Sequence, residues 1–318
     1  MPVSEYSERT LIDGEIIDSH VHPIRALATG ESLITEMKRA KVSKAVLLGL
    51  DLEPNIFDFD ETLRDEVISD LCAYSLFIDV FRLLDTMKMI LQVGNTSNKL
   101  VAELVRQYPE QFIGFGSVNP SKDSHYVEAK LQEIADLGLQ GIKLISTLQF
   151  FHPKKNRNLK KIFKFAQHKD WPILIHLGKD PGPWEIHTLR CVQNSHPKNW
   201  VKVIKKFSKN KVIFAHLGGY GQINDETWLN NVLKMASTNP NVYLDTSAVP
   251  NYLENPSITE KIRETCGFER ILFGTDTPVV LGTSMQHSRA VIEKNPLLTN
   301  AEKLSIFSEN ASQLLHLE

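Results

Sequence analysis

The chain has 318 residues, a length that fits one large α/β domain as well as two ordinary ones. Hydrophobic residues make up 42% and charged residues 23%, ordinary values that supply material for a large core and exclude disorder as the main state. With 36 basic against 38 acidic residues the formal net charge is −2, so no sequence-wide field recommends nucleic acid or an anionic membrane as a partner.

The opening Met1-Pro2-Val3-Ser4-Glu5 lacks a basic stretch followed by an apolar one, and the longest apolar runs are strand-sized, so the cytoplasm is the expected location. Short runs rich in β-branched and aromatic residues then recur, and eight of them are read as buried strands. The first, residues 15–20, leads into Asp18-Ser19-His20-Val21-His22, and the second spans residues 44–49. Residues 51–111 exceed any single crossover. They open on Asp58-Phe59-Asp60-Glu61, continue as one long apolar-periodic stretch to about Leu91, and start a second helix after a Ser97 cap. This excess reads as a helical hairpin inserted between strands two and three, and it offers a surface on which a homodimer could form.

Strand three covers residues 112–118 and strand four residues 141–145, the latter containing Lys143. Strand five, residues 172–176, ends on His176 and is followed by a long loop, residues 178–197, whose Pro181-Gly182-Pro183-Trp184 breaks regular structure. Strand six, residues 211–216, ends on His216; strand seven spans residues 241–245; strand eight, residues 270–276, ends on Asp276. Helix-period segments separate most of these runs at intervals of roughly 30 residues, the repeat of a (β/α)8 TIM barrel. An open doubly wound sheet is the competing arrangement, but it favours a Gly-rich first turn that is missing here. No linker or low-complexity tract divides the chain, so residues 1–318 read as a single barrel domain.

Strand side chains alternate between faces, so His20 and His22 point the same way and can share one cation. A His-x-His pair alone is also what two packed or surface histidines look like. His176, His216 and Asp276 close other strands at the same end, where a barrel gathers its active-site groups. Three neutral nitrogens and a carboxylate suit Zn²⁺ best, with Mn²⁺, Fe²⁺ or Co²⁺ as alternatives. Cys72, Cys191 and Cys266 show no C-x-x-C spacing and suggest neither a thiolate cage nor a disulfide framework. His125, His152, His168, His196, His287 and His316 fall away from strand ends and are expected on the surface.

Taken in order, Asp18-Ser19-His20-Val21-His22, Ile175-His176-Leu177-Gly178, Ala215-His216-Leu217-Gly218-Gly219, Leu244-Asp245-Thr246-Ser247 and Gly274-Thr275-Asp276-Thr277-Pro278 resemble the amidohydrolase superfamily. More narrowly, the chain is similar to its amidohydrolase-related (amidohydrolase 2) branch, which includes aminocarboxymuconate semialdehyde decarboxylase and the resorcylate decarboxylases. The resemblance implies His20, His22, His176 and Asp276 as metal ligands, with Asp276 also handling a proton. It implies His216 as the group that polarises substrate or moves a proton, unless a second ion recruits it. Lys143 stays open between a carbamylated bridge for two metals, a substrate or salt-bridge contact, and no role. Arg25, Lys179, Trp184 and His187 are further candidates for the substrate pocket, Arg25 and Lys179 toward a carboxylate.

The expected function is metal-dependent hydrolysis of a C–N or C–O bond in a small organic substrate. The alternative is metal-dependent, non-oxidative decarboxylation of an aromatic or unsaturated acid, and a third reading is a barrel that only binds. The intact ligand set speaks against the third.

Overall fold

The computed structural model describes residues 15–75, 77–180, 182–222, 225–280 and 284–317. Eight parallel strands follow one another around a sheet in sequence order. They are β1 (Ile17–Val21), β2 (Lys44–Leu48), β3 (Phe112–Ser117), β4 (Ile142–Leu144), β5 (Ile173–Ile175), β6 (Val212–Phe214), β7 (Val242–Asp245) and β8 (Ile271–Leu272). Backbone hydrogen bonds join the last strand's end to the first, from Ser19 N to Phe273 O (2.8 Å), Asp276 N to His20 O (2.9 Å) and His22 N to Thr277 O (2.9 Å). The sheet thereby closes on itself, with helices between its strands, as a (β/α)8 barrel.

Strand alternation sorts the core. Val46, Leu48, Phe115, Leu174 and Ile213 pack together inside the ring, whereas Ala45, Leu47, Ile173, Ile175, Val212 and Phe214 pack outward under the helices. Lys143 pairs in register with Leu174 and so shares the inward face, although Ile142 and Leu144 beside it belong to the outer core.

The strands are shorter than the sequence runs. β8 has two residues, because Phe273 N bonds to Ile306 O of the C-terminal helical segment and the chain then curls over the rim. His22, His176, His216 and Asp276 therefore stand just beyond strand ends, which is where barrel loops place catalytic groups.

Between β2 and β3 the apolar stretch is two helices, Glu61–Tyr74 and Val80–Gly94, where one was expected. Asp79 starts the second by accepting a hydrogen bond from Arg82 N at 3.0 Å. Ser97 caps the next helix, Asn98–Gln107, as expected, accepting from Leu100 N at 3.2 Å. That helix belongs to the barrel wall: Val101 and Ala102 join the outer core. The inserted pair instead builds a separate apolar cluster in which Val67, Leu71, Leu84, Met87 and Leu91 meet Ile145, Leu148, Trp184 and Leu189 from the loops after β4 and β5. An ion pair between Arg190 and Asp70 (2.9 Å) ties the β5 loop to the insertion. The insertion thus roofs the end of the barrel that carries the histidines. Among the described residues no helix is long and apolar enough to cross a membrane.

Candidate metal centre and its cavity

Three donor atoms converge at the rim. His20 Nε2 lies 3.2 Å from His22 Nε2, and Asp276 Oδ1 lies 3.4 Å from the first and 3.3 Å from the second. Donors bound tetrahedrally at 2.0–2.1 Å around a Zn²⁺-sized ion stand about 3.3 Å apart, so the spacing fits a shared divalent cation. Among the described residues this trio is the compact group of metal-ligating side chains.

The backbone that aims them is unusual at both ends of the chain. β1 shifts register between Asp18 and Val21, a local irregularity that re-aims the strand just where His20 sits. Asp276 has a φ of 65°, a left-handed conformation that aspartate enters more readily than most residues and that is held here by its neighbours. Buried Asp18 supplies that hold, accepting from Thr275 N (3.1 Å), Thr275 Oγ1 (2.6 Å) and His20 N (3.1 Å). Burial pushes the Asp18 carboxyl up to about 7, with those hydrogen bonds opposing.

Proton accounting extends the argument to two more imidazoles. His20 Nδ1 faces Asp245 Oδ2 at 2.9 Å and carries the proton there, so its Nε2 turns a lone pair inward. His216 Nδ1 likewise faces the carbonyl of Ser247 (2.9 Å), and His176 Nε2 faces the carbonyl of Lys179 (3.1 Å). A carbonyl only accepts, so each ring places its proton on that side. His216 Nε2 and His176 Nδ1 then confront each other at 2.9 Å as two lone pairs, which need a proton or a cation between or beside them. Burial first, then nearby cationic groups, holds His20, His22 and His176 far below the usual histidine range. Burial also takes His216 down to about 4, against the pull of Asp245. Neutral imidazoles are the form that binds metal.

Lys143 is fully buried with its Nζ 3.0 Å from His20 Nε2, inside the site. Burial lowers it to about 8, while Asp276, Asp245 and Asp180 resist. Burial raises the Asp276 carboxyl well above the usual carboxylate range; Lys143 opposes the shift, and Asp245, Asp180 and Asp18 add to it. A divalent cation would relieve this crowding of carboxyl groups.

Above the trio lies a cavity of about 420 Å³ lined by His22, His176, Lys179, Asp180, Trp184, Tyr220 and Asp276 together with aliphatic side chains. Gly178 lets two of its loops meet: a Cβ there would come within 2.3 Å of Tyr220 N, at a φ of 108° that suits glycine. The expected residues divide accordingly. His20, His22 and Asp276 come together; His176 and His216 pair beside them; Trp184 and Lys179 line the cavity. Arg25 does not line it: its side chain is 77% exposed and reaches Glu103 at 3.9 Å. His187 packs edge-on against Tyr74 of the insertion, with ring centroids 5.6 Å apart. His196, expected on the surface, is buried against Trp228 with ring centroids 4.4 Å apart.

Two carboxylates with work at the site carry no role in the sequence reading. Asp245 accepts from His20 Nδ1, His216 N (2.9 Å), Ser247 N (3.0 Å) and the Ser247 hydroxyl, fixing groups from three strands at once. Asp180 stands 3.3 Å from His176 Nε2, and burial raises it to about 7. The signal for Asp245 was its place at a strand end beside the ligands; Asp180 is one of several polar loop residues with no comparable mark.

A family model described as amidohydrolase matches residues 17–317. The chain belongs to the amidohydrolase family, in its amidohydrolase 2 branch. Solved structures share this amidohydrolase barrel at low identity. The 2,6-dihydroxybenzoate decarboxylase from Rhizobium aligns at 14% identity over 95% of this chain and 99% of its own, with a TM-score of 0.63. A probable 2-pyrone-4,6-dicarboxylic acid hydrolase from Acinetobacter baumannii aligns at 14% identity over 96% and 100%, with a TM-score of 0.62. A 5-carboxyvanillate decarboxylase variant from Novosphingobium aromaticivorans, with bound manganese and a nitrobenzoic acid, aligns at 15% identity over 96% and 98%, with a TM-score of 0.60. At such identities the likeness is one of fold.

Proposed function

We propose that this amidohydrolase is a metal-dependent hydrolase that cleaves a C–N or C–O bond of a small organic substrate in the cavity above His20, His22 and Asp276. The observation that carries the reading is the 3.2–3.4 Å convergence of two imidazole nitrogens and a carboxylate oxygen. Those residues, joined by His176, would hold a divalent ion, Zn²⁺ suiting the donors best and Mn²⁺, Fe²⁺ or Co²⁺ being alternatives; when bound it supplies Lewis acidity toward a substrate oxygen and lowers the pKa of water.

The chain's own groups do the rest. Asp276 accepts the proton of the attacking water and hands it to the leaving amine or alkoxide. Asp245 keeps His20 in the tautomer that presents Nε2. His216 has its Nδ1 committed to Ser247, so it assists a developing oxyanion only by carrying a second proton on Nε2; otherwise that nitrogen is a further ligand. Metal analysis separates the two: one ion per chain leaves Lys143 an amine, and two ions call for its carbamate.

A second reading, non-oxidative decarboxylation, is favoured by two of the three fold neighbours compared above, which are named decarboxylases. There Asp276 would deliver a proton to the carbon that loses CO₂. Incubation of the metal-loaded protein with amides, esters and aromatic acids in ¹⁸O water decides between them. Label in the product is the expected result, and unlabelled product with released CO₂ would replace hydrolysis by decarboxylation. Protein that retains no ion after dialysis against Zn²⁺ or Mn²⁺ would overturn both.

A further inference from the structure

The cavity's floor and its walls differ in kind. Beside the polar groups His22, His176, Asp180 and Asp276 the lining is hydrocarbon, from Met89, Ile90 and Val93 of helix Val80–Gly94, Ile145 and Leu148 of the β4 loop and Val280 of the β8 loop. Among the described lining residues the one cationic side chain is Lys179, while the cation that acts on the carboxyl groups of Asp180 and Asp276 is the buried Lys143. Arg25, the guanidinium nearest in sequence to the metal-bearing turn, points to Glu103 instead. A carboxylate placed against the buried aliphatic groups Ile145 and Leu148 would lose its hydration without gaining a partner, which selects against anionic tails there. The hydrocarbon lining also continues outward. Met89 and Val93 are 59% and 43% exposed while lining the cavity, and Phe81 on the same helix is 75% exposed.

We propose, resting on the metal-centre reading above, that the substrate is an uncharged ester, lactone or amide whose reacting carbonyl sits at His20, His22 and Asp276 and whose hydrocarbon body lies along helix Val80–Gly94, which sets the specificity. The cavity of about 420 Å³ holds roughly fourteen water-sized units at ~30 Å³ each, room for a reacting group plus a chain or ring of about six to ten carbons. Each methylene taken from water into such a space raises affinity by roughly fourfold at most.

Three hydroxamates test this, because the hydroxamate head anchors to metal and leaves the tail to report the walls. Titration calorimetry on Zn²⁺-loaded protein compares acetohydroxamate, hexanohydroxamate and adipic monohydroxamate, the last having the same six-carbon length but ending in a carboxylate. Hexanohydroxamate is expected to bind at least about tenfold more tightly than either of the others. Met89→Ser and Ile90→Ser should each shrink the ratio of long-tail to short-tail affinity. Equal affinity for the two uncharged probes, or adipic monohydroxamate binding as well as hexanohydroxamate, overturns the proposal. Should none of the three bind, the metal-centre reading falls and takes the proposal with it; tight binding without tail preference sinks the proposal alone.

Discussion

The floor and the roof of the cavity are built by opposite means. On the floor the donors come from the ends of the first and last strands, His20 and His22 from one and Asp276 from the other, and the ligand-type rings His20, His176 and His216 are pinned by a hydrogen bond at the nitrogen that faces away. The roof is two inserted helices held by packing in their own apolar cluster, with Phe77 and Phe81 left 99% and 75% exposed. Bonds of fixed direction specify the chemistry, and undirected burial shapes what enters. The roof can therefore change its residues without moving a ligand, which is one physical reason a single barrel hosts many reactions.

The sharpest way to break that contrast is at the floor. Asp276→Asn removes the proton acceptor and is expected to lower turnover by roughly 10²- to 10⁴-fold while the circular dichroism spectrum stays as in the parent. Undiminished kcat in that variant would remove Asp276 from the mechanism. In the roof, Met87 is fully buried in the satellite cluster, and Met87→Ala should cost about 2–5 kcal/mol in urea unfolding with no change in ions per chain. Loss of metal in the same variant would mean that roof and floor form one cooperative unit. Asp245→Asn keeps the shape but frees His20 to switch tautomer, and a chelator-competition assay should show metal binding about 10- to 100-fold weaker. Parent-like affinity would mean that packing alone orients the ring.

The smallest effect lies at His196, in the loop after β5, where its ring packs against Trp228. His196 is drawn down to about 4 by burial, with Lys198 adding, whereas the unfolded chain takes up that proton near 6.5. Between those values the unfolded state holds more protons, so stability present above pH 6.5 is lost as pH falls toward 4. Denaturation at pH 7 and pH 5 should show a smaller drop for His196→Gln than for the parent; identical drops would assign the acid sensitivity elsewhere.

How far the sequence could be read follows the same division. All eight strands were legible because buried parallel strands are near-continuous β-branched runs, and the strand-end histidines and Asp276 stood out against them. The strand ends were less legible: β8 stops at Leu272 because a hydrogen bond from Phe273 to Ile306 and the clasp of Asp18 on Thr275 take over, and tertiary contacts of that kind leave no local pattern. The start of the second helix at Val80 did have a mark, the Asp79 cap, but the apolar periodicity of the surrounding sequence concealed it. Asp245 looked like an ordinary strand-end aspartate, and only barrel closure, with β8 between β7 and β1, brings it against His20 Nδ1. Arg25 shows the converse, a charge beside the metal motif whose exposed side chain looks outward.

The clasp between Asp18 and Thr275 joins positions 257 residues apart, and the donor trio straddles the same seam. A chain growing from its N-terminus exposes the two imidazoles early but has no complete binding site until residue 276 has been made and the last strand has docked beside the first. A divalent ion held by the trio would span the junction between the first and last strands and so join the two ends of the cylinder.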